Sequence, residues 1–297
     1  MSDFALSSEG AVRRVVIFHD ERELRGKFLY HGILVVEKHC AQRLIQFQSD
    51  TRKQSGSDKD VHFAELRRSS SRSKRTKLAT LWASAACEEL WKHCRFYLLG
   101  VALCNLDRGV FGDDKRTANQ NIYNRFFEIA LFSALRWFFP SDAVKLSQVF
   151  SEERSLAGDD PFQRRPLYKI GQREANISCE CNKITFVKKR QADEMAHPKA
   201  VPCVQLVDVL MGGISQCYDR SSSSDAQLEV EKILGEPVRQ LTENPFNPNH
   251  HLYKKLQVAF FPKGKLTAQE ILDRTRQPSF FRRELPADRD QMQFFSD

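Results

Sequence analysis

Residues 12–21 read VRRVVIFHDE, and this stretch decides the fold because a run of β-branched residues ends on two carboxylates. Val15, Val16 and Ile17 favour a strand that is covered on both sides, as in the interior of an α/β sheet. We predict the strand over residues 12–19, so Asp20 and Glu21 follow its carboxyl end, where α/β folds commonly bind ligands. The alternative is that residues 20–23 simply begin a charged turn.

The pattern of the remaining segments indicates an α/β domain. Residues 27–36 predict a second strand, and residues 22–26 are short enough for a hairpin turn. Further strands are predicted at residues 96–104, at 144–150, within 176–187 and at 256–261. Helical spacing predicts helices at residues 37–48, 78–90, 119–139, 201–218, 226–243 and 267–276. A strand pair followed by mixed helices and strands implies a mixed sheet.

The composition favours an intracellular protein with a polyanionic partner. The 297 residues include 46 Lys and Arg against 38 Asp and Glu, a net charge of +8, which favours nucleic acid. Residues 1–10 lack a secretory signal, and no apolar run reaches the roughly 20 residues of a membrane-spanning helix. Eight cysteines are too few for a disulfide scaffold in a chain of this length, so we expect reduced thiols and a cytoplasmic location.

Cys179 and Cys181, with His197 and Cys203 downstream, are a weak candidate for a zinc site. Their spacing lacks the paired C-x-x-C knuckles that make zinc signals strong. Alternation along a strand also places both thiols of a C-x-C motif on one face, which suits packing equally well. We therefore expect buried or half-buried thiols here.

Gln205 and Asp208 lie three residues apart on a predicted helix whose neighbouring positions are Val and Leu. They share a face, and that face points inward. A carboxylate surrounded by aliphatic side chains needs a metal, a base or a capping contact as its partner. We favour a functional role over a satisfied structural one.

Two other positions offer acidic side chains. Asp60 and His62 stand in a short island between two basic stretches, where a loop carboxylate and a solvent-facing imidazole would also explain them. Glu152 and Glu153 follow the strand predicted at residues 144–150, and either could supply a further carboxylate, unless one pairs with Arg154. Carboxylates that the fold brings together repel one another, and hard cations with oxygen ligands relieve that repulsion. The sequence thus predicts a divalent-metal site and metal-assisted phosphoryl chemistry.

Residues 67–77 form a basic segment with four serines and no acidic residue. Its cations are Arg67, Arg68, Arg72, Lys74, Arg75 and Lys77. A solvated flexible loop is one interpretation. The other is a surface that neutralises backbone phosphates beside the Asp60 motif, which would give affinity without sequence preference.

The order of these motifs resembles the domain-of-unknown-function 3800 family, whose fold is ribonuclease H-like. Its members open with a strand ending in Asp-Glu-Ser-Gly, carry an acidic-aliphatic-His/Lys-aromatic motif, and later bear Gln-Leu-Ala-Asp on a helix. The similar segments here are FHDE at residues 18–21, DVHFAEL at 60–66 and VQLVDV at 204–209. The resemblance spans most of the chain, from the first strand to residues 260–262.

The resemblance implies an α/β, ribonuclease H-like mixed sheet flanked by helices. It implies two Mg²⁺ or Mn²⁺ ions bound by four carboxylates, which are those of Asp20, Asp60, Glu152 and Asp208. Glu21, Gln205 and Glu153 would support these ligands. His62 would orient water or relay a proton, and Lys199 would counter phosphate charge. The implied activity is phosphodiester cleavage in RNA or DNA by a metal-dependent nuclease.

We expect residues 11–220 to form the ribonuclease H-like domain, with a basic Ser/Arg-rich insertion near residues 49–77. Residues 221–297 would form a C-terminal extension that packs on the same domain. Arg22 and Glu23 stand where the family usually has Ser and Gly. This departure supports an alternative, a catalytically degenerate nucleic-acid-binding or assembly subunit. A third possibility is a structural protein whose acidic motifs are caps and ion pairs.

Overall fold

A mixed β-sheet with helices on both faces forms the core of the protein. The computed structural model describes residues 12–24, 27–88, 90–153, 164–173, 176–188, 197, 199–243 and 247–261. The strands are β1 Val12–Leu24, β2 Phe28–Glu37, β3 Cys94–Ala102, β4 Ala143–Glu152, β5 Ile177–Cys179, β6 Thr185–Val187 and β7 Leu256–Phe261. The helices are α1 Ala41–Ser55, α2 Phe63–Leu66, α3 Lys74–Glu88, α4 Lys115–Phe138, α5 Arg165–Arg173, α6 Ala200–Asp219 and α7 Asp225–Glu243.

The sheet has seven strands in the order β5-β4-β1-β2-β3-β7, with β6 also paired to β4. Strands β1, β2 and β3 form an antiparallel meander. Strand β4 runs parallel to β1, β5 and β6 run parallel to β4, and β7 runs parallel to β3. The predicted α/β class is confirmed, and this mixed sheet flanked by helices is consistent with a ribonuclease H-like fold.

Each face of the sheet is covered by its own hydrophobic core. Along β1, Val16 and Phe18 face the core that includes residues of α1, α3, α6 and α7. Val15 and Ile17 face the opposite core, which is built largely on α4. Because side chains alternate along a strand, Asp20 lies on the α6 side and His19 on the α4 side.

The first strand is longer than predicted. β1 does not end at His19, because its pairing with β2 continues residue by residue to the pair Leu24 and Phe28. Residues 20–23 therefore do not begin a charged turn, and Asp20 lies inside the strand. The strand that ends beside Asp20 is β4. Its last residue is Glu152, which follows the paired residues Ser151 and His19.

Three helices differ by more than one residue from their predicted bounds, and one of them is α4, which begins at Lys115 because Asp114 caps it. α1 spans Ala41–Ser55 because Glu37 still pairs with Val15 in the sheet and because Gly56 ends the helix at a φ of 65°. The basic segment at residues 67–77 is not wholly a loop, because α3 already begins at Lys74. The helix predicted at residues 267–276 lies outside the described residues.

The described part of the C-terminal extension shares the same cores. α7 packs against α3 and α6, and β7 adds an edge strand beside β3. α6 is long and apolar enough to cross a membrane by composition alone, but 94% of its most apolar window is buried inside the protein. It is the central helix of one core.

Glycines let α6 approach its neighbours closely. A Cβ at Gly212 would lie 2.1 Å from Cγ of Phe63, so α2 rests directly on the backbone of α6. A Cβ at Gly213 would lie 2.6 Å from Leu234, on α7. Both glycines are therefore required by packing, although each weakens a helix interior.

Replacing Gly212 with alanine should destabilise the protein. Because the added Cβ would lie 2.1 Å from Phe63 Cγ, overpacking costs about 2–3 kcal/mol, and the gain in helix propensity offsets up to about 1 kcal/mol of that loss. We expect a net loss of about 1–2 kcal/mol in the free energy of unfolding, measured by urea denaturation. Gly171→Ala is the matched control, because no atom lies within 4 Å of a Cβ at that position in α5, and it should be neutral or stabilising. Equal stability of Gly212→Ala and the wild type would refute the close contact.

A pair of buried acids lies between α6 and α7. Burial raises the pKa of the Glu231 carboxyl to about 7, and the Asp219 carboxylate adds to that rise while Arg220 opposes it. Burial also raises the pKa of Asp219, against the opposing charge of Arg22. Since the folded protein keeps protons here that the unfolded chain releases above a pH of about 4.5, stability falls as the pH rises through this range toward 7.

Glu231→Gln should remove much of this pH dependence. At pH 8 we expect the variant to be more stable than the wild type by about 1 kcal/mol, or roughly 2–4 °C in Tm, while at pH 4.5 the two should agree. Thermal unfolding followed by circular dichroism at both pH values measures the difference. Glu229→Gln, on the exposed side of the same helix, should leave the pH profile unchanged. A parallel profile for Glu231→Gln and wild type would contradict the assignment.

Candidate functional site

Three carboxylates meet where β1 and β4 run side by side. His19 pairs with Ser151 across these parallel strands, so the next residues, Asp20 and Glu152, follow as neighbours. Glu21 joins them, and one carboxylate oxygen from each of the three residues lies within 4.8 Å of the others. Asp20 is fully buried and the two glutamates are half-buried. We refer to Asp20, Glu21 and Glu152 as the acidic triad.

The acidic triad fits a hard metal ion. Two oxygens bound to one ion lie at most twice the metal–oxygen distance apart, which is about 4–5 Å for Mg²⁺ or Ca²⁺. All three donors are carboxylate oxygens, the ligands that such cations prefer. A cation at this position would also relieve the mutual repulsion of three carboxylates. The triad is therefore able to bind a metal.

A buried polar chain joins the strands one residue before the acidic triad. His19 Nδ1 forms a hydrogen bond of 2.8 Å with Ser151 Oγ, and His19 Nε2 forms one of 3.0 Å with His31 Nδ1. All three side chains are fully buried. These hydrogen bonds therefore connect the side chains of β4, β1 and β2. They lie one residue before Asp20 and Glu152 and keep those two residues adjacent.

Glu21 is positioned from the other face of the sheet. The hydroxyl of Tyr123, on α4, donates a hydrogen bond of 3.2 Å to Glu21 Oε2. The Tyr123 ring in turn packs against His19 and His31. The acidic triad is thus oriented by residues of three strands and α4.

Asp60 and Asp208 belong to a second group of polar residues, outside the triad. The Gln205 amide on α6 donates to Asp60 Oδ1 at 2.9 Å. Asp208 Oδ2 accepts from the backbone amide of Phe63 at 3.2 Å and lies 3.6 Å from His62 Nδ1. Gln205 and Asp208 are both buried, in agreement with the inward face predicted from their spacing.

Arg52 completes this second group. Its guanidinium donates to Gln205 Oε1 at 2.6 Å and lies over the Trp82 ring, 5.7 Å from the centroid. Arg52 therefore fixes the Gln205 amide so that its nitrogen faces Asp60. Of the four predicted carboxylates, Asp20 and Glu152 lie in the acidic triad. Asp60 is held by Gln205 of α6, and Asp208, on α6 itself, is held by the Phe63 amide.

Helix α6 brings the second group to the same part of the sheet. Val207, which precedes Asp208, packs over Gly32, where a Cβ would lie 3.0 Å from Val207 Cγ1. Gly32 is the residue on β2 that pairs with Asp20. Asp208 therefore stands on the helix turn that crosses the sheet beside the triad.

The two glutamates left open by the sequence have different environments. Glu152 belongs to the acidic triad. Glu153 forms an ion pair of 3.3 Å with Lys188, and its side chain is 45% exposed. Glu152 is thus the better candidate for a metal ligand, and Arg154 lies outside the described residues.

The predicted basic segment lies on the surface next to the Asp60 motif. Arg67, Arg68, Arg72, Lys74 and Lys77 are exposed. Arg75 is the exception, because it is half-buried and pairs with Glu65 at 2.9 Å. Lys199 is exposed and immediately precedes α6.

The cysteines do not assemble into a zinc site in the described residues. Cys203 is buried in the α6 core, whereas Cys179 and Cys181 pack against the core on the opposite face of the sheet. All eight cysteines are free thiols. Burial raises the pKa of Cys179 to about 11, so this thiol is poorly ionised at neutral pH.

Sequence reasoning missed several residues of the site. His31, Ser151, Tyr123 and Arg52 were not singled out, and His19 was quoted only as part of a motif. For His19 the alternation along β1 was a usable signal, since it stands on the same face as Val15 and Ile17. The partners of Ser151, Tyr123 and Arg52 lie more than a hundred positions away, so no local pattern marks these residues. His31 meets His19 through the β1–β2 hairpin.

No protein-family model matches this chain, and no curated protein matches it either. The fold is an α/β mixed sheet consistent with the ribonuclease H-like class, and the site contains an oxygen-rich acidic triad able to bind a metal. The function proposed below is therefore inferred from the chemistry of the residues at this site.

Glu152→Gln should weaken metal binding while raising the stability of the metal-free protein. A saturating divalent ion should raise the wild-type Tm by roughly 5–10 °C, and loss of one of three ligands should abolish most of that shift. The metal-free variant should melt higher than wild type, because two carboxylates repel less than three. Glu153→Gln, one residue on and paired with Lys188, should retain the full metal-induced shift. A loss of the shift in Glu153→Gln instead would reassign the ligand.

Proposed function

We propose that this protein is a metal-dependent nuclease, or a related phosphodiester-cleaving enzyme, that acts on nucleic acid in the cytoplasm. The observation that supports this most is the acidic triad of Asp20, Glu21 and Glu152 at the junction of β1 and β4. The resemblance of the three motifs to the domain-of-unknown-function 3800 family supports the same activity.

The preferred ions in this proposal are Mg²⁺ and Mn²⁺, because the donors are carboxylate oxygens without thiolate or imidazole. When bound, such ions activate water and stabilise the leaving oxygen of a phosphodiester. Asp20 is the central ligand, since it is fully buried between the neighbouring strands. The buried chain through His19 and Ser151 keeps Asp20 and Glu152 side by side.

The second polar group has a complementary role in the proposal. Gln205 and Arg52 fix the Asp60 carboxylate, and the Phe63 amide fixes that of Asp208. His62, 21% exposed and 3.6 Å from Asp208, is placed to accept or deliver a proton at the substrate. The site would then combine a metal-binding half on the sheet with a proton-handling half beside α6.

Surface charge supports nucleic acid as the partner. Lys74 and Lys77 stand in the first turn of α3, where the helix dipole disfavours cations by about 0.3–1 kcal/mol each. An external anion at that helix end would offset this unfavourable placement. Together with Arg67, Arg68 and Arg72, these lysines form an exposed basic surface next to the Asp60 motif, suited to backbone phosphates of RNA or DNA.

A second candidate function is that of a catalytically degenerate nucleic-acid-binding or assembly subunit. The supporting observation is that Asp60 and Asp208 are engaged by Gln205 and the Phe63 amide and are not part of the triad. Arg22 stands where the family usually has Ser, and its side chain forms hydrogen bonds between structural elements. Its guanidinium donates to Ser215 at 2.6 Å and to Ser221 at 2.9 Å, between α6 and the loop before α7.

Asp20→Asn is the decisive variant. We expect cleavage of labelled single- and double-stranded RNA and DNA oligonucleotides in Mg²⁺ or Mn²⁺, and none in EDTA. Because even outer-shell changes at metal sites reduce activity 10–100-fold, Asp20→Asn should reduce cleavage by more than about 100-fold. Asp113→Asn, at an exposed position, should cut at the wild-type rate.

The outcomes separate the two candidate functions. Cleavage that survives in Asp20→Asn would point to a contaminating nuclease and refute the proposal. Salt-sensitive binding of oligonucleotides with no metal-dependent cleavage of any substrate would instead establish the binding subunit, since affinity then comes from phosphate contacts alone.

A further inference from the structure

A half-open apolar groove lies on the α6 side of the sheet. It is bounded by β1, β4, α1 and the first turn of α6, and its volume is about 370 Å³. This size falls within the range of about 300–1,000 Å³ typical of small-molecule sites. Phe18 and Phe150 form its floor, with ring centroids 5.6 Å apart and planes inclined by only 10°. The two rings stack on each other, so the groove is lined by an aromatic pair on which a further flat ring can pack.

The rim of the groove is polar. Lys199 and Gln148 line it and are exposed, and the ring of His197 stands against Phe150 at 6.4 Å. An amide and an imidazole can both donate and accept hydrogen bonds, and the ammonium can bind an anion. The rim thus suits a flat ligand with hydrogen-bonding edges and an attached negative charge.

The groove points toward the acidic triad. Phe18 and Phe150 stand two residues before Asp20 and Glu152 on the same two strands, and alternation places all four on the α6 face of the sheet. Two residues along a strand span about 6.6 Å. A group that stacks on the aromatic floor is thus about one nucleotide away from the carboxylates.

We propose that this groove binds one unpaired nucleobase of a nucleic-acid strand, next to the bond presented to the acidic triad. The inference rests on the proposed function and deepens it, because it makes the substrate single-stranded or locally unpaired. A base inside a duplex is already stacked on both sides and its edge is paired, so it cannot enter the groove. Stacking on the aromatic floor is tolerant of sequence, since every base has a flat π-face.

Charge complementarity selects this occupant. The phosphate on the sugar of the bound nucleotide meets Lys199 at the rim, while the neutral base occupies the apolar interior. A fatty acid is the competing ligand, because it also has an apolar body and an anionic head. It would leave the hydrogen-bonding groups of Gln148 and His197 unused, so the nucleobase fits the groove better.

The test measures binding of a fluorescent single-stranded oligonucleotide and of the same strand with abasic sites. Ca²⁺ replaces Mg²⁺ during the measurement so that the oligonucleotide is bound but not cut. Ca²⁺ also binds carboxylate oxygens, but it does not require the octahedral geometry of Mg²⁺. Ala41→Trp fills the groove from α1 and leaves its aromatic floor intact. Gln42→Trp adds the same side chain one position along α1, at an exposed residue that does not line the groove.

Wild type should bind the intact strand about 10-fold more tightly than the abasic strand, in line with the loss of one stacked base. Ala41→Trp should abolish that preference, and Gln42→Trp should retain it. Lys199→Gln should weaken both strands alike and lower the salt dependence by about one phosphate contact. Circular dichroism confirms that each variant is folded.

Equal affinity of wild type for the two strands overturns the inference, even if the intact strand is cleaved, so the nuclease proposal can survive it. Preference for the intact strand that Ala41→Trp removes upholds the groove, even where no cleavage occurs and the enzyme proposal fails. Displacement of the oligonucleotide by octanoate at lower concentration than by a nucleoside monophosphate would also overturn the inference, in favour of an acyl ligand.

Discussion

Helix α6 lies closer to its neighbours than ordinary side chains allow, because glycine stands at three of its contacts. Gly32 on β2 receives Val207, Gly212 receives Phe63, and Gly213 receives residues of α7. Close packing of this kind maximises dispersion contacts and leaves the helix no freedom to shift. The position of Asp208, one turn before Gly212, is therefore determined by backbone contacts on several sides, and so is the position of the α2 segment that follows His62.

The acidic triad depends on a different constraint, the register of two parallel strands. Three carboxylates repel each other, and a small slip of β4 against β1 would separate Asp20 from Glu152. The hydrogen bonds that His19 shares with Ser151 and His31 lie one residue before this point and oppose such a slip. Buried polar groups of this type stabilise one geometry because any other would leave their hydrogen bonds unmade. The three carboxylates that repel one another are thus held in place by the hydrogen-bonded strands around them.

Charge is distributed so that opposite signs occupy different regions. The triad is acidic, whereas exposed arginines and lysines between residues 67 and 77 form a basic surface beside the Asp60 motif. A polyanion would be repelled by carboxylates alone, so such cations are needed to attract it. The groove lined by Phe18 and Phe150 adds an apolar contact two residues before Asp20 and Glu152 on β1 and β4. The proposed substrate would therefore combine phosphate, base and metal contacts.

The sequence by itself determined the α/β class, most helices and strands, and the inward face of Gln205 and Asp208. These depend on local periodicity, which is readable without knowledge of distant residues. Only the tertiary structure decided that β1 continues to Leu24, because a strand ends where its partner ends. It also decided that Glu152 rather than Glu153 joins Asp20 and Glu21, that Gln205 holds Asp60, and that the Phe63 amide binds Asp208. The length of β1 is set by its hairpin register with β2, whereas the carboxylate contacts join residues more than a hundred positions apart, about which neighbouring residues carry no information.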